Sequence, residues 1–122
     1  MKRENDLLER TFVYGVRVIK FLRTLPDDGE LGPVKYQLIK SATSVGANYE
    51  EAQGASSSRD FLHKLRIVLK ESRESNYWLK LVQSQEIDSL KHQELLRESQ
   101  ELLFIISAII NKSGNKESSN QN

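Results

Sequence analysis

Two histidines, His63 and His92, and the absence of cysteine limit the metal chemistry open to this chain. A dinuclear carboxylate site inside a helical bundle needs inward glutamates on two helices and Glu-x-x-His on two more. No Glu-x-x-His occurs, and the nearest approximation, Asp60-x-x-His63, stands alone where a helix should start. Serines are plentiful, yet no Gly-x-Ser-x-Gly elbow holds one in a strained turn. Gly46 and Gly54 lack both the spacing and the following Lys-Ser/Thr of a phosphate loop. Without cysteine there is no thiol nucleophile, disulfide framework or Cys-based zinc site, which fits a reducing compartment and predicts the cytoplasm. The expectation is a protein with no catalytic residue, metal or cofactor; a small hydrolase or metal enzyme is the remote alternative.

Three patterns of residue type and spacing remain. Arg59, His63, Arg66, Lys70, Arg73, Tyr77 and Lys80 follow steps of 4, 3, 4, 3, 4, 3, so they fall within a sector of roughly 100° on one helix. Such a stripe can track a phosphate backbone, each cation displacing condensed counterions, with Tyr77 placed for stacking. The alternative is a solvated face neutralised by the acid-rich fourth helical segment, which carries Glu86, Asp88, Glu94, Glu98 and Glu101. Lys40, Ser44, Asn48 and Glu51 form a polar row beside small residues, read as a structural hydrogen-bonded network because buried polar groups need partners. Lys40 and Glu51 exchanging a proton is the catalytic alternative. Finally, Leu7, Tyr14, Val18, Phe21 and Leu25 lie about 100° from the Leu8-Phe12-Ile19 line, and Ile67, Trp78 and Leu81 lie away from the core side of their helix. One monomer should not expose all of these, so they are read as an oligomer interface anchored by Trp78; the alternative is that they cover loops or widen the core.

The elements that must carry these patterns are helices. The chain has 122 residues, 38% hydrophobic, with 18 Lys and Arg against 17 Asp and Glu, enough for one domain around one core. A net charge of +1 names no partner. No apolar run is long enough to span a membrane, and no apolar segment follows the charged N-terminus, so neither export nor membrane insertion is expected. Apolar residues recur at helical steps over about Asp6 to Leu25, and Pro26-Asp27-Asp28-Gly29 stops that run. Gly32-Pro33 opens a second helix that ends near Gln53-Gly54. Ser56-Ser57-Ser58 with Asp60 begins a third, reaching about Gln83. After a polar link, Ser84 to Asp88, a fourth carries Leu95, Leu96, Leu102, Leu103, Ile106, Ile109 and Ile110. The expectation is all-α: an antiparallel up-down-up-down four-helix bundle over 1–112 with helices ~20° from parallel. Residues 113–122 are polar and are expected to form a disordered tail.

Three segments then resemble a known family: Lys40-Ser41-Ala42-Thr43-Ser44-Val45-Gly46-Ala47-Asn48-Tyr49-Glu50-Glu51-Ala52, Asp60-Phe61-Leu62-His63-Lys64-Leu65-Arg66-Ile67-Val68-Leu69-Lys70-Glu71, and Glu74-Ser75-Asn76-Tyr77-Trp78-Leu79. Over about residues 5 to 110 the chain resembles the bacterial four-helix-bundle family of proteins encoded in intervening sequences of large-subunit rRNA genes. That resemblance implies a homopentamer, related to the accessory variability determinants of diversity-generating retroelements, which bind nucleic acid and associate with a reverse transcriptase. It also places Ser44, Asn48 and Glu51 at the family's Ser-x-x-x-Asn-x-x-Glu positions. The expected function is therefore a non-enzymatic, homo-oligomeric adaptor. Its expected partners are RNA or DNA along the stripe, and a reverse transcriptase or other neighbouring-gene product. A protein-only scaffold is the alternative.

Overall fold

Each of the four periodic runs forms one helix: α1 Arg3–Leu22, α2 Leu31–Ala52, α3 Ser58–Gln83 and α4 Leu90–Gln121. The structure, a computed structural model, describes the backbone of residues 3–26, 29–83 and 89–121, and side chains over 6–26, 29–83 and 89–114. Among the described residues there is no strand. Asp27, Asp28 and the link 84–88, with Glu86 and Asp88, lie outside them.

Local chemistry sets the helix ends. α1 stops at Leu22, short of the Leu25 that periodicity suggests, because the chain tightens: Thr24 and Leu25 donate backbone N–H bonds to the carbonyls three residues back, Phe21 and Leu22. The Thr24 hydroxyl donates to Phe21 as well, at 2.7 Å, and Lys35 Nζ clamps the turn by donating to the Leu25 and Pro26 carbonyls. Gly29 has φ +61°, a left-handed conformation that glycine adopts without a Cβ penalty. α3 opens on a reciprocal cap: Ser57 Oγ accepts the Asp60 N–H, and Asp60 Oδ2 accepts the Ser56 N–H, both at 3.0 Å. Lys64 at 2.8 Å and that backbone bond hold the Asp60 carboxyl below the usual carboxylate range.

The bundle is antiparallel and closed. Thr11 faces Gly46 and Gly15 faces Thr43, so α1 and α2 run oppositely. Arg17 faces Glu94 and Arg10 faces Glu98, so α1 and α4 do too. Helices pack in the order α1, α2, α3, α4, and α4 returns to α1 along the sparsest seam. Leu38, Val45, Leu65, Val68, Leu79, Leu102 and Ile106 fill the centre. α4 runs to Gln121.

α1 is rotated relative to the periodicity reading, and this corrects the proposed interface. Leu7, Tyr14, Val18 and Phe21, expected on a subunit interface, are buried in the monomer's own core, whereas Phe12, on the Leu8-Phe12-Ile19 line, is 69% exposed. The inward stripe is Leu7, Thr11, Tyr14, Val18 and Phe21, which Thr11 disguises as broken. Its hydroxyl is satisfied by the Leu8 carbonyl at 3.1 Å, so it can be buried at no hydrogen-bonding cost. Two aromatic rings on this face bury more area than the alternative line would. Leu25 and Trp78 are half-buried against the core, Leu81 is half-buried, and only Ile67 of the expected set is exposed.

α1 and α2 cross closely at Gly46. A Cβ there would lie 3.0 Å from the Thr11 carbonyl oxygen and 3.4 Å from the Phe12 nitrogen, rigid backbone atoms on another helix. At Gly15 the nearest atom would be 3.7 Å away, ordinary contact. Alanine gains about 0.8–1.0 kcal/mol of helix propensity over glycine at either site, while overpacking costs about 1–3 kcal/mol. Thermal melts should therefore move in opposite directions, Gly15→Ala upward and Gly46→Ala downward. A raised melting temperature for Gly46→Ala would contradict the close crossing.

Candidate nucleic-acid interface

A 26-residue α3 gives the basic stripe an uninterrupted helix to stand on. Leu62, Leu65, Val68, Ser72, Asn76 and Leu79 face the core, which turns Arg59, His63, Arg66, Lys70, Arg73, Tyr77 and Lys80 outward. All seven are exposed. Tyr77 is 54% exposed and meets Trp78 edge-on, centroids 5.0 Å apart.

The acids of α4 are engaged elsewhere. Arg10 of α1 donates to Glu98 through Nε at 3.0 Å and Nη2 at 2.7 Å, a bidentate fork, and reaches Glu101 at 3.1 Å. The Glu98 bond outweighs partial burial and raises the Arg10 pKa. Arg17 lies 3.8 Å from Glu94. Neutralisation of the stripe by Glu94, Glu98 and Glu101 is therefore not what the bundle builds; those carboxylates close the α1–α4 seam. Among the described residues no ion pair is recorded for Arg66, Lys70, Arg73 or Lys80.

Lys40, Ser44, Asn48 and Glu51 do not form the expected network. Ser44 Oγ donates to the Lys40 carbonyl at 2.7 Å and Asn48 Nδ2 to the Ser44 carbonyl at 2.8 Å, bonds within α2 itself. Lys40 and Glu51 are exposed. Ser and Asn at half-buried helix positions satisfy themselves on the preceding turn, so nothing forces them together.

The buried polar network lies between α1, α3 and α4. Tyr14 crosses the bundle centre and donates to Ser75 Oγ at 3.0 Å, Ser75 donates to the Ser72 carbonyl, and Asn76 Nδ2 donates to Ser99 Oγ at 3.0 Å. Burial raises the Tyr14 phenol pKa against the opposing bond from Ser75. His92 is fully buried: its Nε2 sits 2.7 Å from the Leu79 carbonyl and its ring packs tilted on Phe21. The available signal was register, since Ser72, Ser75 and Asn76 fall on α3's core face and Ser99 and His92 on that of α4.

Two further features were missed. The α1 rotation opens an apolar groove of about 350 Å³ between α1 and α2, lined by Leu8, Phe12, Gly15, Val16, Ile19 and Ala47 among others. Phe104 projects from α4 at 76% exposure. Among the described residues no three His, Asp or Glu side chains gather as a metal site, and no helix is long and apolar enough to cross a membrane.

A family model described as 23S rRNA-intervening sequence protein matches residues 3–108. A crystal structure from Bacteroides thetaiotaomicron, described as a protein with unknown function from the S23 ribosomal protein family, is 31% identical. It aligns with a TM-score of 0.74 over 85% of this chain and 97% of that one. No curated protein matches.

Proposed function

Because the chain belongs to the 23S rRNA-intervening sequence protein family, we propose that it is a non-enzymatic, homo-oligomeric adaptor that holds nucleic acid along the outer face of α3. The observation that carries this reading is the exposed stripe, whose neighbouring α4 carboxylates are drawn onto Arg10 and Arg17 of α1. Arg66, Lys70, Arg73 and Lys80 then meet solvent at helical spacing, and each phosphate they neutralise releases counterions to bulk. Binding of this kind is largely independent of sequence. It reconciles a net charge of +1 with a polyanionic partner, since what matters is where the charges sit.

Assembly strengthens the effect, because stripes from several subunits sum into one field. The family resemblance implies five copies. The apolar surface that supports self-association is the α1–α2 groove with Phe12, and it replaces the Leu7, Tyr14, Val18 and Phe21 face. That groove also supports the second reading, a scaffold that docks only protein, a neighbouring-gene product among the candidates. Fluorescence anisotropy with labelled RNA at 50 mM salt separates the two, with light scattering reporting the mass. Saturable RNA binding by a particle several times larger than 14.0 kDa is the expected result. Absence of binding at that salt would leave the scaffold reading in place of this one.

A further inference from the structure

Beside the basic stripe, α4 presents an outer row of its own. Gln93, Arg97, Gln100, Phe104, Ser107 and Asn111 follow steps of 4, 3, 4, 3, 4 and share one helix face. All are exposed except half-buried Ser107. The two rows border one another, for Asn76 bonds Ser99 across the α3–α4 seam, and Arg73 and Lys80 stand about one turn to either side of Asn76. No carboxylate belongs to the α4 row; Glu94, Glu98 and Glu101 occupy the flank that faces Arg10 and Arg17. The combined face is cationic on α3, neutral to cationic on α4, and carries two exposed rings, Tyr77 and Phe104.

A duplex offers such a face its phosphates and keeps its bases stacked inside, so the rings would meet nothing they complement. Unpaired bases stack on aromatic side chains, while the cations beside them track the backbone. With Asn76 opposite Ser99 and the helices antiparallel, Phe104 stands level with about residue 71. Tyr77 is then some six residues along, an axial offset of about 9 Å at the helical rise of about 1.5 Å per residue; with packed helix axes about 8–10 Å apart, the two positions are about 12–13 Å apart, close to four base steps of about 3.4 Å.

We propose that the α3–α4 outer face selects single-stranded over duplex nucleic acid, with Phe104 and Tyr77 as stacking platforms beside Arg66, Lys70 and Arg73. This deepens the nucleic-acid reading above and rests on it. Anisotropy titrations at 50 mM salt with an unstructured 20-nucleotide RNA, and with the same RNA annealed to its complement, test it. The single strand should bind at least about tenfold more tightly, and Phe104→Ala should weaken it by about 5- to 150-fold, the range of one lost base stack. Phe104→Trp should retain affinity and Phe104→Leu should not, because leucine keeps apolar area without a π face. Equal affinity for both forms, or no effect of Phe104→Ala, overturns the inference and leaves the phosphate contacts standing. Failure of both RNAs to bind overturns the two readings together. Loss of oligomer mass in Phe104→Ala with RNA affinity intact would assign Phe104 to contact between subunits and overturn the inference as well.

Discussion

Arg66→Glu combined with Arg73→Glu should lower RNA affinity by at least about a hundredfold at 50 mM salt and leave the helical content of the protein unchanged. The substitutions shift the stripe by four charge units per chain, and a unit charge about 4 Å from a phosphate is worth about 1 kcal/mol even in water. Both side chains are exposed and the described residues show no ion pair for either, so stability should stay within about 0.5 kcal/mol of wild type. Lys40→Glu, at an exposed position of α2, is the control, with half that charge shift. It changes net charge in the same sense away from the stripe, and a loss of under about threefold is expected from it. A similar loss from the control and from the double substitution would mean that net charge, and not the α3 face, governs binding.

A large stability effect is expected at Asn76, a buried amide that bonds across two helices. Asn76→Ala removes the donor to Ser99 inside the bundle and leaves Tyr14 as the remaining side-chain partner of that hydroxyl. A buried hydrogen bond lost costs about 1 kcal/mol, and the truncated side chain leaves a cavity besides. A total of about 2–4 kcal/mol should lower the melting temperature by roughly 10 °C. Asn48→Ala, at a position that the family resemblance makes prominent, should cost well under half as much, because Asn48 donates only to the Ser44 carbonyl one turn back on its own helix. If the two variants melt alike, the location of the polar network is wrong.

Much of the fold was legible because helical periodicity and punctuation agree. Gly29, the cap at Ser57 and Asp60, and the core lines of α2 and α3 each follow from residue type and spacing. α1 was misread for a physical reason. It carries two apolar lines offset by one residue, and the line with the larger rings contains a threonine whose polarity vanishes once its hydroxyl bonds to Leu8. Periodicity weighs side chains one at a time and cannot see that satisfaction. The same blindness hid His92, whose burial depends on the Leu79 carbonyl of another helix. The basic stripe, by contrast, needed only spacing to be found, since long charged side chains opposite a core face have nowhere to go but solvent. That Glu94, Glu98 and Glu101 turn to Arg10 and Arg17 was not legible, because it depends on a seam between segments far apart in sequence.

The salt dependence of RNA affinity tests the central claim most directly. If the five Arg and Lys residues of the stripe, Arg59, Arg66, Lys70, Arg73 and Lys80, neutralise phosphates of a single strand, log K should fall with log salt at a slope of about −3.5 per stripe engaged. That amounts to about a hundredfold between 50 and 200 mM. The slope should become shallower by more than one unit in the Arg66→Glu and Arg73→Glu protein. Affinity that is flat across that range, or a slope the double substitution leaves unchanged, would contradict the assignment of nucleic-acid binding to α3.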